Sequence, residues 1–143
     1  MSNGRDVASA MQMGADLAYL GTRFINTDES QAPEEYKDMI ITSGANDIVY
    51  TAAVSGVNAN FLRKSLEAMG ITKEMWALKA KIDFGSELDA SQAEAKAWKT
   101  IWSAGQGVAT VQDKLPISEL AARMKAEFIA AIKAQQEYLT IFG

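Results

Sequence analysis

The sequence predicts a helix-rich α/β fold that is a piece of a larger domain, on three observations. Residues 4–24 read as helix, glycine, apolar strand, glycine, the punctuation of a parallel α/β sheet. Only about three short β-rich runs stand among several helical stretches, thin material for a closed sheet, since a complete (β/α)8 barrel takes roughly 250 residues. From Pro116 to about Leu139 apolar residues recur at helical spacing, at Ile117, Leu120, Ala121, Met124, Phe128, Ala131, Ile132 and Leu139.

Taken in order, Asn3 is placed to cap a helix from about Arg5 to Met13. Asp6 stands where a capping box puts its acid, Gly14 ends the helix, and Val7, Ala10 and Met11 face inward. Ala15 to Leu20 is apolar enough for a strand covered on both faces, and it runs into Gly21-Thr22-Arg23-Phe24. Asn26 to Pro33 is polar and turn-rich, and Pro33 opens a helix through about Thr42 that Gly44 ends. Asp47 to Ala53 alternates with β-rich residues, and Ser55-Gly56-Val57-Asn58 is a turn. A helix then runs from Asn60 to about Met69, with Phe61, Leu62, Ser65, Leu66 and Met69 on one face. Ile71 to Lys99 reads as helix interrupted at Gly85-Ser86, and Asp89 caps a second helical run, Ala90 to Trp102. Ser103 to Gly107 is a glycine turn and Val108 to Val111 a short strand. No repeat and no Pro/Gly/Ser-rich linker divides the chain, so residues 1–143 read as a single partial domain.

Composition narrows the chemistry. The net charge is -4 and no basic cluster exceeds Arg63-Lys64, which argues against a nucleic-acid partner, because phosphate neutralisation needs a basic face. With no cysteine, disulfides, thiolate metal sites and cysteine nucleophiles are excluded. The polar start at Met1 to Asp6 has no apolar signal core, and no apolar run is long enough to span a membrane; the expectation is a cytoplasmic protein. There is no histidine, the usual general base near neutral pH and the commonest metal ligand. A carboxylate, a lysine, a tyrosine or a group outside this chain must abstract any proton.

Gly21-Thr22 has the chemistry of a phosphate contact: a glycine lets the backbone approach an anion, neighbouring N–H groups point at its oxygens, and the threonine hydroxyl adds a donor. Read from the residues alone, it is more readily an ordinary strand-ending turn, since glycine is the default punctuator. The wider pattern favours the first reading. Gly4-Arg5-Asp6-Val7-Ala8, Gly14-Ala15-Asp16 and Leu20-Gly21-Thr22-Arg23-Phe24 resemble the end of the barrel of the nitronate monooxygenase (2-nitropropane dioxygenase) family. There the seventh helix, the eighth strand and the flavin-phosphate loop follow one another. The resemblance continues through Glu29-Ser30, Tyr36-Lys37, the segment from Thr51 to Arg63 with Ser55-Gly56, and Trp102-Ser103-Ala104-Gly105-Gln106-Gly107.

The resemblance implies the C-terminal segment of an FMN-binding (β/α)8 TIM barrel with added helices. It implies FMN as cofactor and an alkyl nitronate and dioxygen as substrates. It assigns Leu20, Gly21, Thr22 and Arg23 to the phosphate, with Gln106 near the flavin or the barrel mouth. In the family a glycine pair on the preceding strand completes the phosphate clamp, and a histidine takes the substrate proton. Both belong upstream of Met1-Ser2-Asn3-Gly4, so no catalytic residue is expected in this chain, and the chain alone is expected to be inactive. Two alternatives stand beside this: a non-catalytic chain that folds by self-association or on a partner chain, and part of a related FMN-dependent enoyl reductase.

Other features have plain readings. Gly105-Gln106-Gly107 is as well explained by a turn needing positive φ as by a ligand role. Asp83, Glu87 and Asp89 lack the spacing of a cation loop and read as solvated surface, so no metal site is expected. Trp76, Trp98 and Trp102 read as core. Tyr36 and Lys37 fit either a substrate mouth or a charged outer face, and Arg5 a solvated one.

Overall fold

In a computed structural model of the chain, residues 1–77 and 100–142 are described. The helices are α1 (Gly4–Gln12), α2 (Thr22–Ile25), α3 (Glu34–Ile41), α4 (Arg63–Ala68), α5 (Lys73–Ala77) and α6 (Ile117–Phe142). Two strands, β1 (Ile48–Thr51) and β2 (Ala59–Leu62), form an antiparallel pair, and 3-10 turns cover Ala45–Asp47 and Gln106–Thr110.

α1 starts and stops as the sequence predicts. The Asn3 side chain accepts the Asp6 N–H at 2.8 Å, and Gly14 takes a φ of 95° after the last turn. The Asp6 carboxylate accepts the N–H of Ser2 at 2.7 Å, so the reciprocal contact falls one residue before the cap. α1 lies against α6, burying Ala8 and Ala10, while Met11 stays exposed. Gly4 makes this approach possible: a Cβ there would overlap the Met124 carbonyl oxygen and lie 2.6 Å from the Phe128 nitrogen. α6 holds Leu120 fully buried and Met124, Phe128 and Ile132 partly so; its last turns, with Leu139 and Phe142, are exposed.

The hairpin sits between two apolar clusters. Its register pairs Ile48 with Leu62, Val49 with Phe61, Tyr50 with Asn60 and Thr51 with Ala59. One face sends Val49 and Phe61 into a cluster with Val54, Leu66, Ile71 and Ile101. The other sends Leu62 against Ile40, Ala104, Val108 and Val111. Leu62 also donates its N–H to the Trp102 carbonyl at 2.8 Å, and Phe61 bridges Ser103.

Several sequence expectations are corrected here. The helix expected from Asn60 begins at Arg63, because residues 59–62 are held in the ladder with β1. Phe61 and Leu62 are both buried, but on opposite faces of a strand rather than one face of a helix. Val108–Val111 is not a strand; Val108 lies in the 3-10 turn and both valines are buried. Ile101 and Trp102 are not helical, since the Trp102 carbonyl is committed to Leu62. Gly85-Ser86, Asp89, Trp98 and the acids Asp83 and Glu87 lie outside the described residues. The largest departure is Ala15–Leu20, which has no strand partner among the described residues and leaves Leu17 89% and Tyr19 91% exposed.

The loop beyond that bare stretch is tied down. Residues 21–29 run alongside 105–117: Thr27 pairs in parallel with Leu115, Asp28 donates to the Leu115 carbonyl at 3.1 Å, and the Glu29 carboxylate accepts the Ile117 N–H at 3.0 Å.

Candidate functional site

Gly21 and Thr22 stand where the bare stretch enters α2. A Cβ on Gly21 would meet nothing within 4 Å, so the backbone faces open space. The Thr22 hydroxyl oxygen accepts the N–H of Gly105 at 2.8 Å. An oxygen that accepts this bond keeps its own hydrogen to donate. Residues 83 positions apart are thereby joined at one cavity of about 360 Å³, lined by Gly21, Thr22, Ile25, Asn60 and the Ser103–Gly105 turn. Among the described residues no charged side chain lines it.

The far wall is fixed by aromatic packing. Tyr36 stacks on Trp102 with centroids 5.1 Å apart and planes 12° apart, and its hydroxyl donates to the Ser103 carbonyl. Burial pushes the Tyr36 hydroxyl above the usual phenol range. Lys37 is buried too, donating to the Ser30 carbonyl at 3.0 Å and lying 3.4 Å from Glu34. The two are therefore structural: neither a substrate mouth nor a charged outer face describes them. Trp76 packs against the first cluster and Trp102 against the second, as core residues.

The other sequence-predicted positions lie apart. Arg23 is only 3% exposed, and its guanidinium donates to the Asp113 carbonyl at 2.9 Å, to the Asp113 carboxylate at 2.7 Å and to the Asn26 carbonyl at 3.3 Å. Arg123 takes the second Asp113 oxygen at 2.7 Å, so one carboxylate bridges two guanidinium groups. Burial lowers the Arg23 pKa against the pull of Asp113. This side chain lines a separate cavity of about 400 Å³ beside α1 and α6, with Arg5, Arg123 and Glu127. Leu20 is half-buried and Gln106 exposed, and neither lines the Gly21 cavity.

The Ser103–Gly107 turn corrects one further expectation. Positive φ occurs at Gly14, Gly56 and Gly70, whereas Gly105 has φ of -83°. Gly107 serves close approach instead: a Cβ there would lie 2.9 Å from the Met1 backbone. Asn60 was not singled out by sequence. The signal was its period-two relation to Leu62, hidden by reading the segment as helix.

Residues 1–127 match the family model described as nitronate monooxygenase. A nitronate monooxygenase from Paraburkholderia phytofirmans is 30% identical over 142 residues, which cover 95% of this chain and 38% of that protein. The chain thus spans well under half of that relative's length. Among solved structures, FabK from Thermotoga maritima superposes with a TM-score of 0.69 at 22% identity, over 96% of this chain and 45% of its own. A nitroalkane oxidase from Streptomyces ansochromogenes gives 0.64 at 28% identity, over 94% and 39%. The fold is that of part of a TIM barrel with added helices, as the family resemblance implied.

Proposed function

The chain belongs to the nitronate monooxygenase family, and from that premise we propose that the protein is a flavin-dependent oxidoreductase in which this chain holds the phosphate end of FMN. The observation that carries the reading is the Thr22 hydroxyl, anchored by the Gly105 N–H and facing a cavity it shares with Gly21.

The residues present fit a phosphate end. Gly21 offers unobstructed backbone, Thr22 a hydroxyl donor, and the absence of a carboxylate from the lining removes like-charge repulsion. The anion is held by dipoles rather than by a cation, as in other backbone-lined phosphate sites. Arg23 keeps its place in the loop through its backbone, while its guanidinium positions the loop by gripping Asp113. Leu20 leads the chain into the loop, and Gln106 follows Gly105 in sequence without lining the cavity. Bound FMN supplies the electron-accepting ring for oxidation of an alkyl nitronate, with dioxygen as the final acceptor. The family resemblance implies a histidine as the substrate base, and this chain has none, so the base is assigned to residues outside it. The likeness to FabK, at 22% identity, supports the shared fold and does not favour an enoyl reductase.

A second reading rests on a different observation. The backbone groups of residues 16–20 make no hydrogen bond among the described residues, and Leu17 and Tyr19 are exposed. Such an edge favours association, either with the remainder of the family fold or with a second copy. The two readings are compatible.

Titration of the purified chain with FMN, followed by fluorescence quenching and then by oxygen uptake with a nitroalkane anion, tests the proposal. Binding without turnover is the expected result. Turnover by the chain alone would overturn the assignment of the base elsewhere, and absence of any FMN contact would overturn the phosphate site.

A further inference from the structure

We propose that Asn60 is a third phosphate ligand, donating from its side-chain amide to the group held at Gly21 and Thr22. The inference rests on the flavin-phosphate reading above and adds a residue that neither the sequence pattern nor the comparisons single out.

Strand geometry places the side chain. Successive residues of β2 point to opposite faces, so Asn60 shares the face of Leu62, two residues on. Leu62 points into the cluster that contains Ala104 and is flanked by Ile25. Ile25 and Ala104 also line the Gly21 cavity, and Asn60 stands at its wall with them. The polar residue of an otherwise apolar strand face is thus the one that meets the cavity.

The amide is also uncommitted. Among the described residues its backbone pairs with Tyr50 across the hairpin, but its side chain has no hydrogen-bond partner. Asn26 shows the contrast: fully buried, it commits its amide N–H to the Lys37 carbonyl at 2.9 Å and holds the fold. A carboxamide at a cavity without cations offers two N–H donors and no charge. With the Thr22 hydroxyl and the backbone at Gly21 it makes a set of neutral donors converging on one anion, the chemistry suited to a phosphomonoester.

The test uses nitrogen-15 spectra of the full chain titrated with FMN, inorganic phosphate and riboflavin. The Asn60 side-chain NH2 signals are expected to shift together with the Gly21 and Thr22 amides on adding FMN or phosphate, and not on adding riboflavin. Asn60→Asp, which removes the donor and adds a negative charge at the same shape, is expected to weaken FMN binding by about tenfold or more and to leave riboflavin binding within about twofold. Shifts at Gly21 and Thr22 with a silent Asn60 would overturn this inference and leave the flavin reading standing. Equal responses to riboflavin and FMN would overturn the phosphate assignment of Asn60. No response at any of the three residues would overturn the flavin reading itself. The wild-type spectra decide the matter even if Asn60→Asp fails to fold.

Discussion

Ala15–Leu20 and Ala59–Leu62 are both short and mostly apolar, and they meet opposite fates. Phe61 and Leu62 are 1% and 0% exposed, whereas Leu17 and Tyr19 are 89% and 91% exposed. The difference does not lie in β-forming character. β2 has β1 on one edge and the 102–103 backbone on the other; among the described residues, 15–20 have no strand neighbour on either edge. A strand is made by its neighbours, and the preference of its residues says only that they suit a pleated, covered surface. The loop that starts at Gly21 lies at the junction of the two regions, so its geometry is set from the packed side, by Thr22, Arg23 and Glu29.

Truncating one aromatic residue in each region puts the contrast under the greatest load. Phe61→Ala should cost about 3–5 kcal/mol in urea unfolding, because it leaves a large core cavity. Tyr19→Ala should cost less than about 0.5 kcal/mol, as for an exposed side chain. If Tyr19→Ala is as damaging as Phe61→Ala, the stretch is covered in solution and the contrast fails. Replacing both Leu17 and Tyr19 by lysine should leave the unfolding midpoint in place while lowering the concentration-dependent mass seen by light scattering. An unchanged mass would place any association elsewhere, for instance on the exposed Leu139 and Phe142 of α6.

The same contrast explains what the sequence could and could not convey. α1, its Asn3 cap and Gly14 stop, and the long α6 were legible because caps and helical periodicity are local signals. The burial of Phe61, Leu62 and Leu66 was legible too, but not that a strand becomes a helix between Leu62 and Arg63, because apolar runs of that length fit either period. Gly21 and Thr22 were legible as a candidate site through their residue types. That Gly105 would reach Thr22, or that Asp113 would take the Arg23 guanidinium 90 residues away, was not, since nothing local encodes which distant segment lies alongside. The bare Ala15–Leu20 was misjudged for the converse reason: its residues describe a covered strand, and coverage depends on neighbours that none of the other described residues supplies.

Smaller effects are expected at the junction. Arg23→Met removes bonds to two carbonyls and a carboxylate, and should cost about 2–3 kcal/mol because those acceptors lose a charged donor. Arg123 still holds the other Asp113 oxygen and keeps the loss from being larger. If the loop depends on the packed side, FMN contact at Gly21 should weaken together with stability. Undiminished FMN contact in Arg23→Met would mean that the loop is shaped locally. Thr22→Val keeps the shape but leaves the Gly105 N–H without its acceptor, at a cost of about 1–2 kcal/mol. It should impair FMN binding more than its stability loss accounts for, because it also deletes a ligand donor.

The smallest prediction concerns the wall of the cavity. Burial raises the Tyr36 pKa in the folded chain. The folded state therefore holds this proton more tightly than the unfolded chain, whose phenol titrates near about pH 10. The associated stability is complete below that pH and is lost as pH rises from there through the higher folded value. Tyr36→Phe keeps the stacking on Trp102 but removes the hydroxyl, so it should be less stable than wild type by about 1 kcal/mol near neutral pH. The deficit should shrink between about pH 9 and about pH 11, measured by urea unfolding at each pH. A deficit constant across that range would mean that Tyr36 ionises as freely in the folded chain as in the unfolded one. The packed wall would then be as open to water as the bare stretch on the other side of Gly21.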